Sequence, residues 1–150
     1  MIFDYAATVD HAWIDYNGHM QDAYYGLVFS HAVDAVQDAV GLDAAYRAET
    51  GCTVYLLEDH KHFLREVHAG ALLSVRTRVL AVDERRFVLW ADMLSAGDRV
   101  AVSEMVQAHV HQRPTPRLHP MPDRIVARLR AAVTAPPEDA PRARPLALRR

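Results

Sequence analysis

From Ala23 to Val40 the apolar positions Tyr24, Leu27, Val28, Ala32, Ala35, Val36, Ala39 and Val40 return at steps of three and four. That spacing puts them on one stripe of a helix. Gly41 follows as the expected left-handed stop. Asp22 stands where an N-cap carboxylate would accept from the first free amides, with Met20 and Tyr24 or Tyr25 placed to pack around the entry turn. A shorter helix is expected from Asp43 to Thr50, ended by Gly51. Beyond it the period falls to two. TVYLLED, HKHFLREV, LLSVRTRVLAVD, RFVLWADMLS and RVAVSEMVQAHVHQ read as five strands, with turn signals at Ala69-Gly70, Asp83-Glu84 and Ala96-Gly97-Asp98. The break between the first two falls near Asp59 and His60. With FDYAATV at the start they make six antiparallel strands, across which the one long helix must lie, an α+β layer.

After Gln112 prolines cluster, and PDRIVARLRAAV from Pro122 predicts a C-terminal helix with Pro near its first turn. The remaining TAPPEDAPRARPLALRR has no apolar period. Residues 134–150 are therefore expected to form a mobile tail behind a domain of residues 1–133, and its removal is expected to change melting and activity little. No internal repeat is visible.

Composition narrows the function. A chain of 150 residues that is 51% hydrophobic builds one domain with a real core. Its formal charge of -2, from 17 basic and 19 acidic residues, lacks the basic surplus that nucleic acid demands. Cys52 is the single cysteine, so no intrachain disulfide forms and a reducing compartment is the simpler expectation. MIFDYAATVD carries no basic-then-apolar signal, and no run approaches the ~20 apolar residues of a membrane span. The expectation is a cytoplasmic protein with no membrane partner.

The chemistry concentrates just upstream of the long helix, in WIDYNGHMQDAYY, residues 13 to 25. A helix start carries free amides and a partial positive charge, which can polarise a carbonyl or hold an oxyanion. Asp15, on a loop turned by Gly18, is placed to act there as base or nucleophile. The competing reading is that Asp15 and Asn17 only shape Asx turns and that His19 caps the loop.

D-x-x-G-H-M before such a helix resembles the active-site loop of 4-hydroxybenzoyl-CoA-type thioesterases, and the element order resembles their hotdog fold. WIDYNGHMQDAYYGLVFSHAVDAVQDAVGLD, with LEDHKHFLREVHAG and SEMVQAHVH further on, is similar to the betainyl-CoA thioesterases of carnitine catabolism from about Thr8 to Val110. The resemblance implies a hotdog acyl-CoA thioesterase, a long central helix wrapped by about six antiparallel strands, and active sites at the interface of a homodimer or homotetramer. Anchored on Gly18, Asp15 falls on the family's catalytic carboxylate, with Asn17 and His19 positioning loop or substrate. Amides near Asp22 to Tyr25 would polarise the thioester carbonyl. Thiolate is a good leaving group, so neither a metal nor an organic cofactor is required.

Trp13, Tyr16, Tyr24 and Tyr25 are the second constellation. Their rings either pack the core or recognise a quaternary ammonium by cation–π attraction. In LEDHKHF, Glu58, His60 and His62 alternate onto one strand face. Together with His109 and His111 they can be read as a metal half-site, although the spacing lacks a metal framework. By resemblance Glu58 and His60 line the acyl pocket instead. His31 reads as a core histidine on the helix stripe, Glu104 as a residue that either hydrogen-bonds within the sheet or approaches the site, and Cys52 as a small buried side chain. Arg65, Arg85, Arg86 and Arg99 are candidate partners for the phosphates of coenzyme A. Two alternatives stay open: a hotdog hydratase, whose loop is spelled Asp-x-Asn-Pro-x-His, and a non-enzymatic small-molecule or metal binding module.

Overall fold

The computed structural model describes residues 1–142 and 145–148; Ala143, Arg144, Arg149 and Arg150 of the expected tail lie outside the described residues. The elements run β1 (Phe3–Thr8), α1 (Asp22–Val40), α2 (Ala44–Thr50), β2 (Cys52–Phe63), β3 (Leu72–Val82), β4 (Arg86–Ser95), β5 (Asp98–His111), β6 (Arg117–Leu118) and α3 (Asp123–Ala132). All strand pairings are antiparallel in the order β1-β3-β4-β5-β2, with β6 pairing β5. Helix α1 lies across one face, chiefly over β1 and β3. This is the α+β layer that the periodicity predicts.

Three local expectations are corrected. Helix α1 begins at Asp22 with Gln21 as a cap residue that makes no side-chain cap bond. The entry is held by backbone pairing, Met20 N–H to the Val67 carbonyl at 2.8 Å and Gln21 N–H to Trp13 at 2.9 Å, which leaves Asp22 to complement the dipole from the first turn. The buried row of α1 is Tyr25, Val28, Phe29, Ala32, Val33, Val36, Gln37 and Val40. Two apolar rows interleave in the sequence, and packing on the sheet selects the one with the bulky Phe29. His31 is consequently exposed rather than buried, its Nδ1 3.3 Å from the Tyr5 hydroxyl.

The third correction matters most for the site. TVYLLED and HKHF form one strand, β2, with a bulge at Leu57: Leu56 pairs with Gln107, and Glu58 already pairs with Val106. An extra residue reverses the alternation of facing, which mimics a strand end in the sequence. The count of six is completed instead by β6, two residues long.

Both faces of β4 and β5 are buried. Leu89, Ala91, Met93, Ala101 and Met105 face α1 within the main core. On the outer face, Asp92 accepts from Arg78 at 2.6 Å and Arg99 at 2.9 Å. The described residues of the segment expected to be a free tail lie over this face. Thr134 N–H donates to the Val79 carbonyl at 2.9 Å, Asp139 takes both terminal nitrogens of Arg99, Arg142 pairs with Glu104, and Leu146 packs on Val88 and Val106. Isolated anchors rather than a periodic apolar stripe make these contacts.

At the far end of β5, His109 is wholly buried. Its Nδ1 donates to the His119 carbonyl at 2.6 Å, so Nε2 accepts from the Tyr46 hydroxyl at 2.9 Å. Burial pulls this imidazole below its ordinary value, with the neighbouring His119 and His111 adding to the effect against the His119 carbonyl bond. The unfolded chain takes up a proton near the ordinary value of about pH 6.5 while the folded chain resists it. Stability is therefore held above that pH and lost progressively below it. Melting temperature is expected to fall from pH 7 to pH 5, and less steeply in His109→Gln. Equal slopes would assign the acid sensitivity to other groups.

Among the described residues, no helix is long and apolar enough to cross a membrane.

Candidate active site

The loop ahead of α1 is a closed hairpin. Ile14 bridges Met20, Asp15 N–H donates to the His19 carbonyl at 3.1 Å, and Gly18 N–H donates to the Asp15 carbonyl at 3.0 Å. Gly18 sits at φ +83 with nothing near its missing Cβ, so the turn needs glycine for its backbone and not for space. The Asp15 carboxylate accepts the Asn17 backbone N–H at 2.8 Å and the Asn17 side-chain amide at 3.4 Å. The Asx turn is thus present, and it aims the carboxylate while leaving lone pairs unused.

Asp15, Tyr16, Asn17, His19, Met20, Asp22 and Tyr25 line one side of a cleft of about 480 Å³; Phe63, Leu64, Arg65 and Glu66 line the other. Contacts between residues 38 to 50 positions apart fix the two walls together. Tyr25 OH donates to the Arg65 carbonyl at 3.2 Å, and its ring meets Phe63 edge-on at 5.2 Å. The His68 Nδ1 donates to the Gly18 carbonyl at 3.0 Å, and His19 Nε2 lies 3.7 Å from Glu66. Burial pushes the Tyr25 phenol above its ordinary value, which keeps it a neutral donor. The amides of Asp22 and Ala23 lead α1 with no partner four residues back, Tyr24 N–H donates to the Gln21 carbonyl at 3.0 Å, and Asp22 puts the helix start on the wall of this cleft. Three carboxylates, from Asp15, Asp22 and Glu66, line the cleft together with Arg65, whose guanidinium pairs at 2.6 Å with Asp98, a residue outside the lining.

Not every residue singled out in the sequence arrives here. Tyr16 is 97% exposed on the rim. Trp13 and Tyr24 stack on each other, centroids 5.4 Å apart, and pack against the core instead of the cleft. Glu58 and His60 pair at 3.2 Å, but their register partners Val106 and Glu104 belong to the face away from α1. His109 faces inward at the other end of the sheet, so the two histidine groups do not converge; among the described residues no three His, Cys, Asp or Glu are placed to hold a metal. Arg86 is held by Asp83, and Arg99 by Asp92 and Asp139. The far wall, Phe63 to Glu66, is what sequence reasoning missed, apart from Arg65; its signal is LREV directly after a strand that ends level with the helix start.

The model of the thioesterase-like superfamily matches residues 9–129. The betainyl-CoA thioesterase of Pseudomonas aeruginosa is 38% identical over 133 residues, covering 87% of this chain and 83% of that one. The L-carnitine dehydrogenase/betainyl-CoA thioesterase of Agrobacterium fabrum is 44% identical over 105 residues, covering 69% of this chain and 22% of that protein. The chain therefore corresponds to less than a quarter of that longer relative. Among solved structures, a proposed thioesterase of Pseudomonas putida KT2440 superposes with TM-score 0.79 at 33% identity, covering 100% of this chain and 97% of that one. A Staphylococcus aureus protein solved in complex with CoA superposes with TM-score 0.86 over 99% and 96% of the two chains; at 23% identity that likeness speaks for the fold alone. A helix cradled by an antiparallel sheet is the architecture these superpositions share, and the chain belongs to the thioesterase-like superfamily as a hotdog-fold thioester hydrolase.

Proposed function

We propose that the chain hydrolyses betainyl-CoA to glycine betaine and coenzyme A, with Asp15 as the group that acts on the thioester. The observation that carries this reading is the Asp15 carboxylate, oriented by Asn17 and facing a cleft at the head of α1. The thioester carbonyl lies against the leading amides of α1, which stabilise negative charge on its oxygen. As general base, Asp15 takes a proton from water while the water oxygen bonds to the carbonyl carbon. The C–S bond then breaks and the thiolate leaves. Asn17 and His19 hold the loop, and Arg65 at the cleft is the candidate partner for coenzyme A phosphate.

Betainyl-CoA is the name given to the substrate of the Pseudomonas aeruginosa relative, and the cleft's charge supports carrying it over. A trimethylammonium group donates no conventional hydrogen bond, so ring faces and carboxylates must select it. Tyr16, Tyr25 and Phe63 supply rings here, and Asp22 and Glu66 supply carboxylates. 3,3-Dimethylbutyryl-CoA keeps the shape of the betainyl group without its charge. The swap is expected to cost ~0.5–2 kcal/mol per ring contact, read as a few-fold to about thirtyfold loss in kcat/KM. Equal rates would leave a thioesterase of another acyl class.

The exposed edge beside the same site suits pairing with a second copy. β2 is a sheet edge, and Tyr55, Leu56, Leu57, Phe63 and Leu64 are exposed on or just beyond it. An open apolar edge is a template for a second copy. Pairing of two chains along β2 would cover the cleft wall at Phe63 and Leu64, making the active unit a homodimer or a homotetramer.

A further inference from the structure

The groove between α1 and β2 is interrupted. At the level of Tyr25 and Phe63 it is the Asp15 cleft; about one helical turn further on it reopens as a smaller cavity of about 140 Å³, lined by Phe29, Ser30, Val33, Leu56, Asp59 and Met105 among others. Between them stands Lys61. A methyl group on Gly26 would lie 3.7 Å from its Cε and 4.0 Å from its Nζ, so the side chain lies directly over the helix backbone.

Lys61 is not there by chance of a flexible surface chain. Register pairs Asp59, Lys61 and Phe63 with Met105, Ser103 and Ala101, the α1-facing set, so two charged residues occupy the core side of the sheet. The Asp59 carboxylate takes Lys61 Nζ on one oxygen and the Ser103 hydroxyl, at 2.5 Å, on the other. Their side chains are only 14% and 24% exposed for Asp59 and Lys61. A charge pair on that face carries a desolvation cost that an apolar residue of similar size would avoid. What it offers is a wall that is both solid and polar.

We propose that Lys61, pinned by Asp59 and Ser103, ends the acyl pocket and restricts the enzyme to short acyl groups. The proposal rests on the thioesterase site being the Asp15 cleft, but not on the betainyl assignment. A longer apolar chain directed along α1 would meet the ammonium and would have to displace it and strip water from the pair. With the wall gone, the chain would run on into the smaller cavity beside Phe29, Val33 and Leu56.

The test compares kcat/KM for butanoyl-CoA and octanoyl-CoA in the wild type, Lys61→Ala, and the double variant Lys61→Ala/Asp59→Asn, which avoids leaving Asp59 buried without its cation. The expected result is a wild type that prefers butanoyl-CoA and a double variant whose octanoyl-to-butanoyl ratio is about tenfold higher or more, the scale on which pocket volume discriminates chain length. Lys61→Met, neutral but still bulky, should raise the ratio less than Lys61→Ala. An unchanged ratio in a folded double variant, or a wild type indifferent to chain length, overturns the proposal. Failure of the betaine reading shows separately, in the comparison of betainyl-CoA with its neutral isostere.

Discussion

Asp15→Asn is expected to leave the fold intact and to lower turnover by ~10²–10⁴-fold, the usual effect of losing a positioned acid–base group. The change should be local. Among the described residues the Asp15 side chain bonds within its own loop, to the Asn17 backbone and side-chain amide, and the hairpin is closed by backbone bonds from Asp15 and Gly18 and tied to Val67 by the Met20 N–H, none of which the substitution touches. An amide can still shape the turn through its oxygen, but it neither takes a proton from water nor attacks a carbonyl. The check is a free-thiol assay on short acyl-CoAs beside a melting curve. A loss carried by kcat with little change in KM marks a group acting in the transition state. Single turnover in ¹⁸O water separates the two roles, since label retained in the Asp15 carboxyl marks direct attack. Turnover within a few-fold of the wild type would move the chemistry off this loop.

The candidate site is legible in the sequence where its chemistry is contiguous. Asp15, Asn17, Gly18 and His19 lie within five positions, so their spacing alone conveys a turned loop ahead of a helix, and Gly41 marks the end of that helix. What escaped is what depends on distant partners or on parity. The bulge at Leu57 reverses which residues of β2 face inward, moving Glu58 and His60 outside and bringing Asp59 and Lys61 in. No period-two pattern reveals such a slip, because every residue after it alternates normally. The second wall of the cleft depends on Tyr25 reaching the Arg65 carbonyl, a contact between residues 40 positions apart. Trp13 and Tyr24 have the composition of a cation site, yet they stack face to face because Gln21 N–H is bonded to the Trp13 carbonyl, drawing that residue toward the first turn of α1.

Arg142→Ala is expected to destabilise the domain by ~3 kcal/mol, in the range for removing one partner of a buried ion pair. For a chain of this size that is about 6–12 °C in melting temperature. Glu104 is the reason. Its side chain is 3% exposed, between Trp90 on β4 and His60 on β2, and the described residues answer its charge with Arg142, through both Nε and Nη2. The Leu146 backbone N–H adds a third bond at 3.0 Å. Without the guanidinium, the carboxylate either stays buried and underpaired or draws water under the segment, and both routes loosen Leu146 from Val88 and Val106. Glu104→Gln/Arg142→Ala removes the stranded charge and should recover part of the loss, a coupling that two independent surface residues would not show. Truncation after Val133 should destabilise in the same direction, since it uncovers Leu80, Val88 and Val106 and deprives Arg99 of Asp139. A melting temperature within a degree of the wild type for both Arg142→Ala and the truncation would restore the reading of residues 134–150 as an appendage that the domain does not use.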